Sequence, residues 1–265
     1  MVRQQPPYFR CPANEHIPVW RYIDLTKFEW MLQNKALYFP SAATMNDSYE
    51  GHYTRMMAPS KEAEEIFIRK MLARKDSPWS IEREDHLASL RRAYRNLLNV
   101  DLKGIRERFY ISCWHMNEEE SSAMWKLYTS REDSVCVRST YQQLSQELPS
   151  DCYLGCVNYM DFERDMFDVY EFLNFVVHKR RAFEHEKEVR AVINNTGSLT
   201  GEPPYPPVKD GKGIVVPIDL ARIINEVRVS PDAKSPFLQE VQHLISIHGL
   251  AVPVKPSEVN APPAY

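Results

Sequence analysis

The sequence predicts a single α+β domain of short, mostly antiparallel strands with a helical insert. Three observations carry this. Short apolar and aromatic runs bounded by turn residues alternate with amphipathic stretches at helical spacing. No repeat or low-complexity linker divides the 265 residues. The composition, 43% apolar and 26% charged, is that of a globular chain able to bury a core without disulfide or metal staples.

The elements follow in order. Residues 1–18 are Pro-rich and polar and read as a flexible arm. VWRYID (19–24) is a strand, and Asp24 and Thr26 offer N-cap chemistry for LTKFEWMLQNK, where Leu25, Phe28, Met31 and Leu32 follow helical spacing. ALYFPSAATM (36–45) is a second strand broken by Pro40, and MNDSYEG (45–51) is turn chemistry. Residues 59–107 form the insert, with KEAEEIFIRKMLARK and SIEREDHLASLRRAYRNLLNV as helices parted at Pro78 and Trp79. FYISCWH (109–115) is a strand. NEEESSAMWKLY (117–128) is a helix with Glu118, Glu119 and Glu120 in its positive first turn. SVCVRS (134–139) is a strand, TYQQLSQEL a helix, and CYLGCVNYM (152–160) a strand. MFDVYEFLNFVVHKRRAF (166–183) reads as one helix with a basic end, and EKEVRAVIN (186–194) as a strand. GIVVPID (213–219) and NEVRVSP (225–231) are strands, and SPFLQEVQHLISIHG is a helix stopped by Gly249. The domain thus spans 19–250, followed by a loose tail, 251–265.

Composition excludes several classes. Lys and Arg total 33 against 36 Asp and Glu, so no global basic field marks a nucleic-acid binder. No apolar run approaches the ~20 residues of a membrane helix. MVRQQPPYFR lacks the apolar segment of a secretory signal, and the odd count of 5 cysteines suits reduced thiols, so a cytoplasmic chain is expected. With 8 Gly against 19 Pro, a glycine-rich phosphate loop is not expected. Cys152 and Cys156 are not a CxxC pair and the His residues are scattered, so no metal site is expected. Arg69, Lys70, Arg74, Lys75, Arg91, Arg92 and Arg95 make the insert basic in places. Glu62, Glu64, Glu65, Glu82 and Glu84 on the same helices suit an ordinary solvated face.

Three strings hold the candidate chemistry. In KRRAFEHEKEVRAV, Glu184, Glu186 and Glu188 alternate, so on a strand they share a face and repel unless cations intervene. They are either an edge-strand face paired with Arg180, Arg181 or Arg190, or a catalytic acid at a strand start. In FYISCWHMNEEESSAMWKLY, ten residues lie between Trp114 and Trp125. The indoles are either core or a slot for a flat ring. In VWRYIDLTKFEWMLQNKALYFPSAATMNDSYEG, Arg21 sits on a strand between aromatics. It either pairs with a later Glu or offers a bidentate fork to a phosphate. Asn46, Asp47 and Glu50 either cap the next segment or line a polar pocket.

These strings, with GIVVPIDL…VRVSP, resemble the bacterial and phage family called domain of unknown function 2971, over residues 19–250. Members of that family occur in mobile and defence-related gene neighbourhoods. The order of Arg on a first strand, Ser and aromatic on a middle strand, and Glu-x-Glu-Val on a late strand is also similar to ADP-ribosyltransferases. That resemblance implies a split ADP-ribosyltransferase-like sheet and NAD as substrate. It implies that Arg21 contacts the pyrophosphate or ribose, Ser112 supports the site, and Trp114 and Trp125 stack on nicotinamide. Glu188 would then be the catalytic acid and Glu186 would orient the acceptor. The implied activity is ADP-ribosyl transfer to a protein or nucleic acid, or NAD hydrolysis, in a toxin or defence effector. The alternatives are a non-catalytic binding or regulatory module and a nucleic-acid-processing protein. Convergence of Arg21, Trp114, Trp125 and Glu188 on one cleft separates the readings.

Overall fold

Alternation along the first strand sorts its side chains into two layers. Val19 and Ile23 enter the main core, while Trp20 and Tyr22 join a separate aromatic cluster. The computed structural model describes residues 6–58, 60–73, 84–98, 101–129, 132–169, 171–196, 203–208 and 211–261. Its strands are β1 (Pro18–Asp24), β2 (Ala36–Pro40), β3 (Phe109–Met116), β4 (Ser134–Thr140), β5 (Cys152–Cys156), β6 (Asn158–Met160), β7 (His178–Arg180), β8 (Glu188–Asn194), β9 (Gly213–Pro217), β10 (Glu226–Val229) and β11 (Val254–Pro256). Its α-helices are α1 (Leu25–Asn34), α2 (Lys61–Leu72), α3 (Glu84–Leu98), α4 (Leu102–Arg108), α5 (Ser122–Tyr128), α6 (Tyr141–Glu147), α7 (Asn174–Val177), α8 (Leu220–Ile223) and α9 (Ser235–Ile247).

Seven strands form one sheet in the order β11-β10-β4-β1-β3-β8-β5. All its neighbours are antiparallel except β10 and β11. β2 and β9 make an antiparallel ribbon, tied to β3 by a bridge between Ser41 and Tyr110. The expected α+β domain of mostly antiparallel strands is what forms. One irregularity places the site. β1 pairs with β4 along its whole length, from Pro18↔Thr140 to Asp24↔Ser134. It meets β3 only at Val19↔Met116 and Trp20↔His115. Beyond Trp20 the two strands diverge and the sheet opens.

The main core lies between the sheet and α1, α6, α8, α9 and the β2–β9 ribbon, through Phe28, Leu32, Leu144, Ile223 and Val241. Each such side chain removed from water contributes roughly 1.5–3 kcal/mol. A second core joins Phe109, Ile111 and Val192 to the insert through Phe67, Leu90, Tyr94 and Ile105. Ser60 caps α2 by accepting from Ala63 N at 3.0 Å, and Thr140 with Gln143 forms a capping box at α6.

Several expectations are corrected. Residues 166–183 are not one helix: among the described residues of that stretch only Asn174–Val177 is α-helical, followed by β7 and a 3-10 turn, Arg181–Glu186. Asn174 Nδ2 bonds Asp168 O at 2.7 Å and His178 Nδ1 bonds Asn174 O at 2.8 Å, side-chain bonds that compete with a continuous helix. The late strand starts at Glu188 rather than 186, because Lys187 turns the chain in the left-handed region at φ 41°. It lies between β3 and β5, so it is no edge strand. Glu118–Glu120 precede α5, whose N-cap is Ser121. CYLGCVNYM splits at Val157 into β5 and β6. In the arm, Phe9 is fully buried in the second core. In the tail, Val254–Pro256 adds β11 to the sheet, because Val227 N, Lys255 and Ser257 find partners there. The break expected at Pro78 and Trp79 lies outside the described residues.

Candidate functional site

The gap between β1 and β3 forms a cleft of about 380 Å³. Arg21 and Lys27 lie at its walls, with Trp20, Tyr22, Tyr38, Trp114 and Tyr128 as aromatic lining and Glu186 and Glu188 at the carboxylate end. The structure therefore brings Arg21, Trp114, Glu186 and Glu188 to one hollow. Trp125 lies elsewhere. It is edge-on to Tyr22 at 5.1 Å, donates to Glu120 Oε2 at 2.8 Å, and packs with Trp20, Met124 and Cys136. The expected slot between two indoles is not formed, because α5 turns Trp125 into that aromatic cluster. Trp114 itself is 2% exposed, so it forms wall rather than platform.

Arg21 is a partly buried cation with no carboxylate within ion-pair distance among the described residues. Its Nη1 donates to Ser112 Oγ at 2.6 Å and its Nη2 to Tyr38 O at 3.2 Å. Ser112 Oγ also accepts from Trp114 Nε1 at 3.2 Å, so the buried serine aims the guanidinium. Burial lowers the Arg21 pKa from its ordinary value. A guanidinium has five N–H donors, so Arg21 keeps donors beyond those given to Ser112 and Tyr38. Arg21, Lys27, Ile23 and Tyr38 also line an adjoining apolar hollow of about 240 Å³ between α1 and β2.

The carboxylate end is a buried ionic cluster. Glu188 Oε1 accepts from Arg190 Nε at 2.8 Å, and its Oε2 from Arg190 Nη2 at 3.1 Å and Lys179 Nζ at 3.2 Å. Burial pushes the Glu188 carboxyl up, but Arg190 and Lys179 outweigh it and hold the pKa down at about 2. Glu186 Oε2 accepts from Lys179 Nζ at 2.5 Å. Arg190 Nη2 also donates to Glu50 Oε1 at 2.5 Å. Arg180 pairs with Asp47 and Arg181 with Asp165, so of the three arginines considered only Arg190 meets Glu188.

Two neighbours complete the floor. His115 Nδ1 lies 2.6 Å from Glu186 O, which fixes the proton on Nδ1 and leaves Nε2 a buried acceptor without a partner among the described residues. Burial lowers the His115 pKa, keeping the ring neutral. Burial, then Glu188, pushes the Cys113 thiol well up, so it is no thiolate nucleophile. Beyond Glu186, Glu188, Cys113 and Tyr128 opens a further hollow of about 410 Å³, lined by Asn46, Asp47, Glu50, Lys179 and Arg180 as well. Sequence reasoning missed Lys179, and of its two readings of Glu50, a cap or the lining of a polar pocket, the structure shows the second. The available signal was Arg190, a charge inside an apolar strand, which demands buried carboxylates.

No family model matches the chain, so membership of domain of unknown function 2971 stays an expectation from the sequence. No curated protein matches it either. Solved structures of Thermus sp. 2.9 DarT are similar in arrangement. One, in complex with ADP-ribosylated ssDNA, shares 10% identity over 94% of this chain and 97% of that chain, with a TM-score of 0.39. Another, in complex with NAD+, shares 8% identity over 93% and 98%, with a TM-score of 0.37. At these values no residue is transferred from one chain to the other. No helix of the described residues is long and apolar enough to cross a membrane.

Proposed function

We propose that the chain is an NAD-consuming enzyme that transfers ADP-ribose to an acceptor or to water. The observation that supports this best is the pairing of charges in one cleft: Arg21, with no carboxylate partner among the described residues, and an ionised Glu188 line the same hollow. Oxidised NAD has the complementary polarity, with an anionic pyrophosphate and a cationic nicotinamide ribose. The cleft and the adjoining apolar hollow fall in the ~300–1,000 Å³ range of small-molecule sites.

In this reading Arg21 holds the pyrophosphate and Ser112 positions Arg21. The bond between ribose C1′ and nicotinamide N1 breaks, and its electron pair leaves with nicotinamide. The leaving group is already cationic, so no proton need be donated. What the step needs is a negative charge beside the developing ribosyl cation in a dry setting. Glu188, 5% exposed and ionised at neutral pH, supplies it. Glu186, between the two hollows, orients the acceptor. The acceptor is a macromolecule, protein or nucleic acid, or water, and the role a cytoplasmic toxin or defence effector.

The test is nicotinamide release from NAD, with NAD-dependent thermal stabilisation measured alongside. Wild type releases nicotinamide, Glu188→Gln does not, and Arg21→Met loses the thermal shift. Arg21→Met strands no buried carboxylate, so its fold survives. Absence of both release and thermal shift in wild type defeats the proposal. It would then favour the second reading, a non-catalytic module, for which the double pairing of Glu188 is architecture. The basic insert gives the nucleic-acid reading less: Arg69, Arg91, Arg92 and Arg95 are exposed, beside exposed Glu62 and Glu65.

A further inference from the structure

β5 ends the seven-stranded sheet, so among the described residues its outer edge meets no further strand of that sheet. The N-terminal arm lies against it instead. Cys156 N donates to Arg10 O at 2.8 Å, and Asn158 Nδ2 donates to Tyr8 O just beyond. Cys11, the next residue after Arg10, is an exposed free thiol, and Cys156 is a half-buried one.

Covalent geometry bounds their separation. The Arg10–Cys11 peptide is trans, which puts the Arg10 oxygen about 2.8 Å from Cys11 Cα, and Cys156 Cα is about 1.5 Å from its own nitrogen. With the 2.8 Å hydrogen bond between them, the two Cα atoms are at most about 7 Å apart, a limit reached only if all three segments were collinear. Disulfides join Cα atoms up to about 6.8 Å apart. The side chains also turn to the same place. Cys156 packs against the main core, which includes Tyr141. Cys11 is in hydrogen-bond contact with Tyr141, whose hydroxyl donates to Leu154 O, two residues before Cys156. The other thiols are elsewhere. Cys152 opens β5, about 13 Å away along the strand, Cys136 is fully buried in the aromatic cluster, and Cys113 lies beside Glu188.

We propose that Cys11 and Cys156 form an oxidation site, a dithiol that takes a small disulfide such as glutathione disulfide and locks the arm onto the sheet edge. Cys11 is exposed and reacts first. Its thiolate attacks one sulfur of glutathione disulfide, that S–S bond breaks, and one glutathione leaves. The Cys156 sulfur then attacks the Cys11 sulfur of the mixed disulfide and displaces the second glutathione. Each cysteine proton ends on a glutathione sulfur. Two protein thiols lose two electrons, and one glutathione disulfide gains them. Burial, then Cys11, pushes the Cys156 thiol up to about 11, which suits it to resolve rather than to attack. The inference stands apart from the NAD reading.

The test is to treat the folded, full-length protein with glutathione disulfide without denaturant, quench it with acid, and read intact mass and linked peptides. Wild type should become two hydrogens lighter through one link, Cys11 to Cys156, and dithiothreitol should restore it. Cys156→Ser should stop at the mixed disulfide on Cys11. Cys11→Ser should leave Cys156 reacting ~10-fold more slowly or less. The Cys156 amide, whose acceptor is on the arm, should exchange with deuterium more slowly after oxidation. A mixed disulfide that persists in wild type, a link to another cysteine, or no reaction overturns the proposal. An unchanged Cys156 amide overturns the lock. Wild type decides the link by itself if a serine variant fails to fold.

Discussion

Replacing Arg190 with Met should unfold the protein's ionic centre in a pH-dependent way. Arg190 is 1% exposed and donates to Glu188 Oε1, Glu188 Oε2, Glu50 Oε1 and Val176 O at 2.8, 3.1, 2.5 and 2.6 Å. Met fills similar volume but leaves two buried carboxylates with Lys179 as their shared cation. Breaking one side of a buried pair typically costs about 3–5 kcal/mol. That is a large part of a total stability of roughly 5–15 kcal/mol, and a fall in Tm of about 10 °C. The sign with pH follows from Glu188. Its carboxyl is held at about 2 in the fold against an ordinary 4.5. That difference contributes about 3 kcal/mol, fully present above pH ~4.5 and lost as pH falls towards 2. In the variant the main downward pull is gone and burial pushes the carboxyl up, so protonation relieves the strain. The deficit relative to wild type should therefore shrink steadily between pH 6 and 3 in urea unfolding at each pH. A deficit under about 1 kcal/mol at pH 7, or one that stays constant down to pH 3, refutes the reasoning.

Two further outcomes follow. Trp125→Phe removes the indole N–H from Glu120 and loosens the cluster with Tyr22, lowering stability by about 1–3 kcal/mol in denaturant unfolding. Its NAD thermal shift should match wild type, and loss of that shift would restore the two-indole slot. Glu120→Ala strips partners from Ser257 Oγ, the Glu258 amide, Arg228 and Trp125. Amides at 254–259 should then exchange with deuterium much faster, and unchanged protection would show that β11 is held by backbone pairing alone.

The strands were legible because their chemistry is local. VWRYID, FYISCWH and SVCVRS became β1, β3 and β4 within a residue or two, since short aromatic and β-branched runs between turn signals have few other stable forms. The 166–183 stretch was not, because its apolar spacing suits a helix, while the fold carries Lys179 into the ionic cluster and spends Asn174 and His178 on backbone bonds. Arg21, Trp114, Glu186 and Glu188 could be singled out as unusual residues for their elements. Their meeting could not, because it depends on where β1 leaves β3. Glu50 could be read as a cap or a pocket residue, but its pairing with Arg190, distant in sequence, could not.

The parting of β1 from β3 makes the sheet two leaves hinged at one corner. At Trp20 and His115 the backbone ladder ends. Past that point the leaves are joined by the main core they share and by bonds such as Arg21 on Ser112 and the Ser121 amide on the Tyr22 hydroxyl. Anything that parted the leaves there would break core contacts and those side-chain bonds before any strand pair within either leaf.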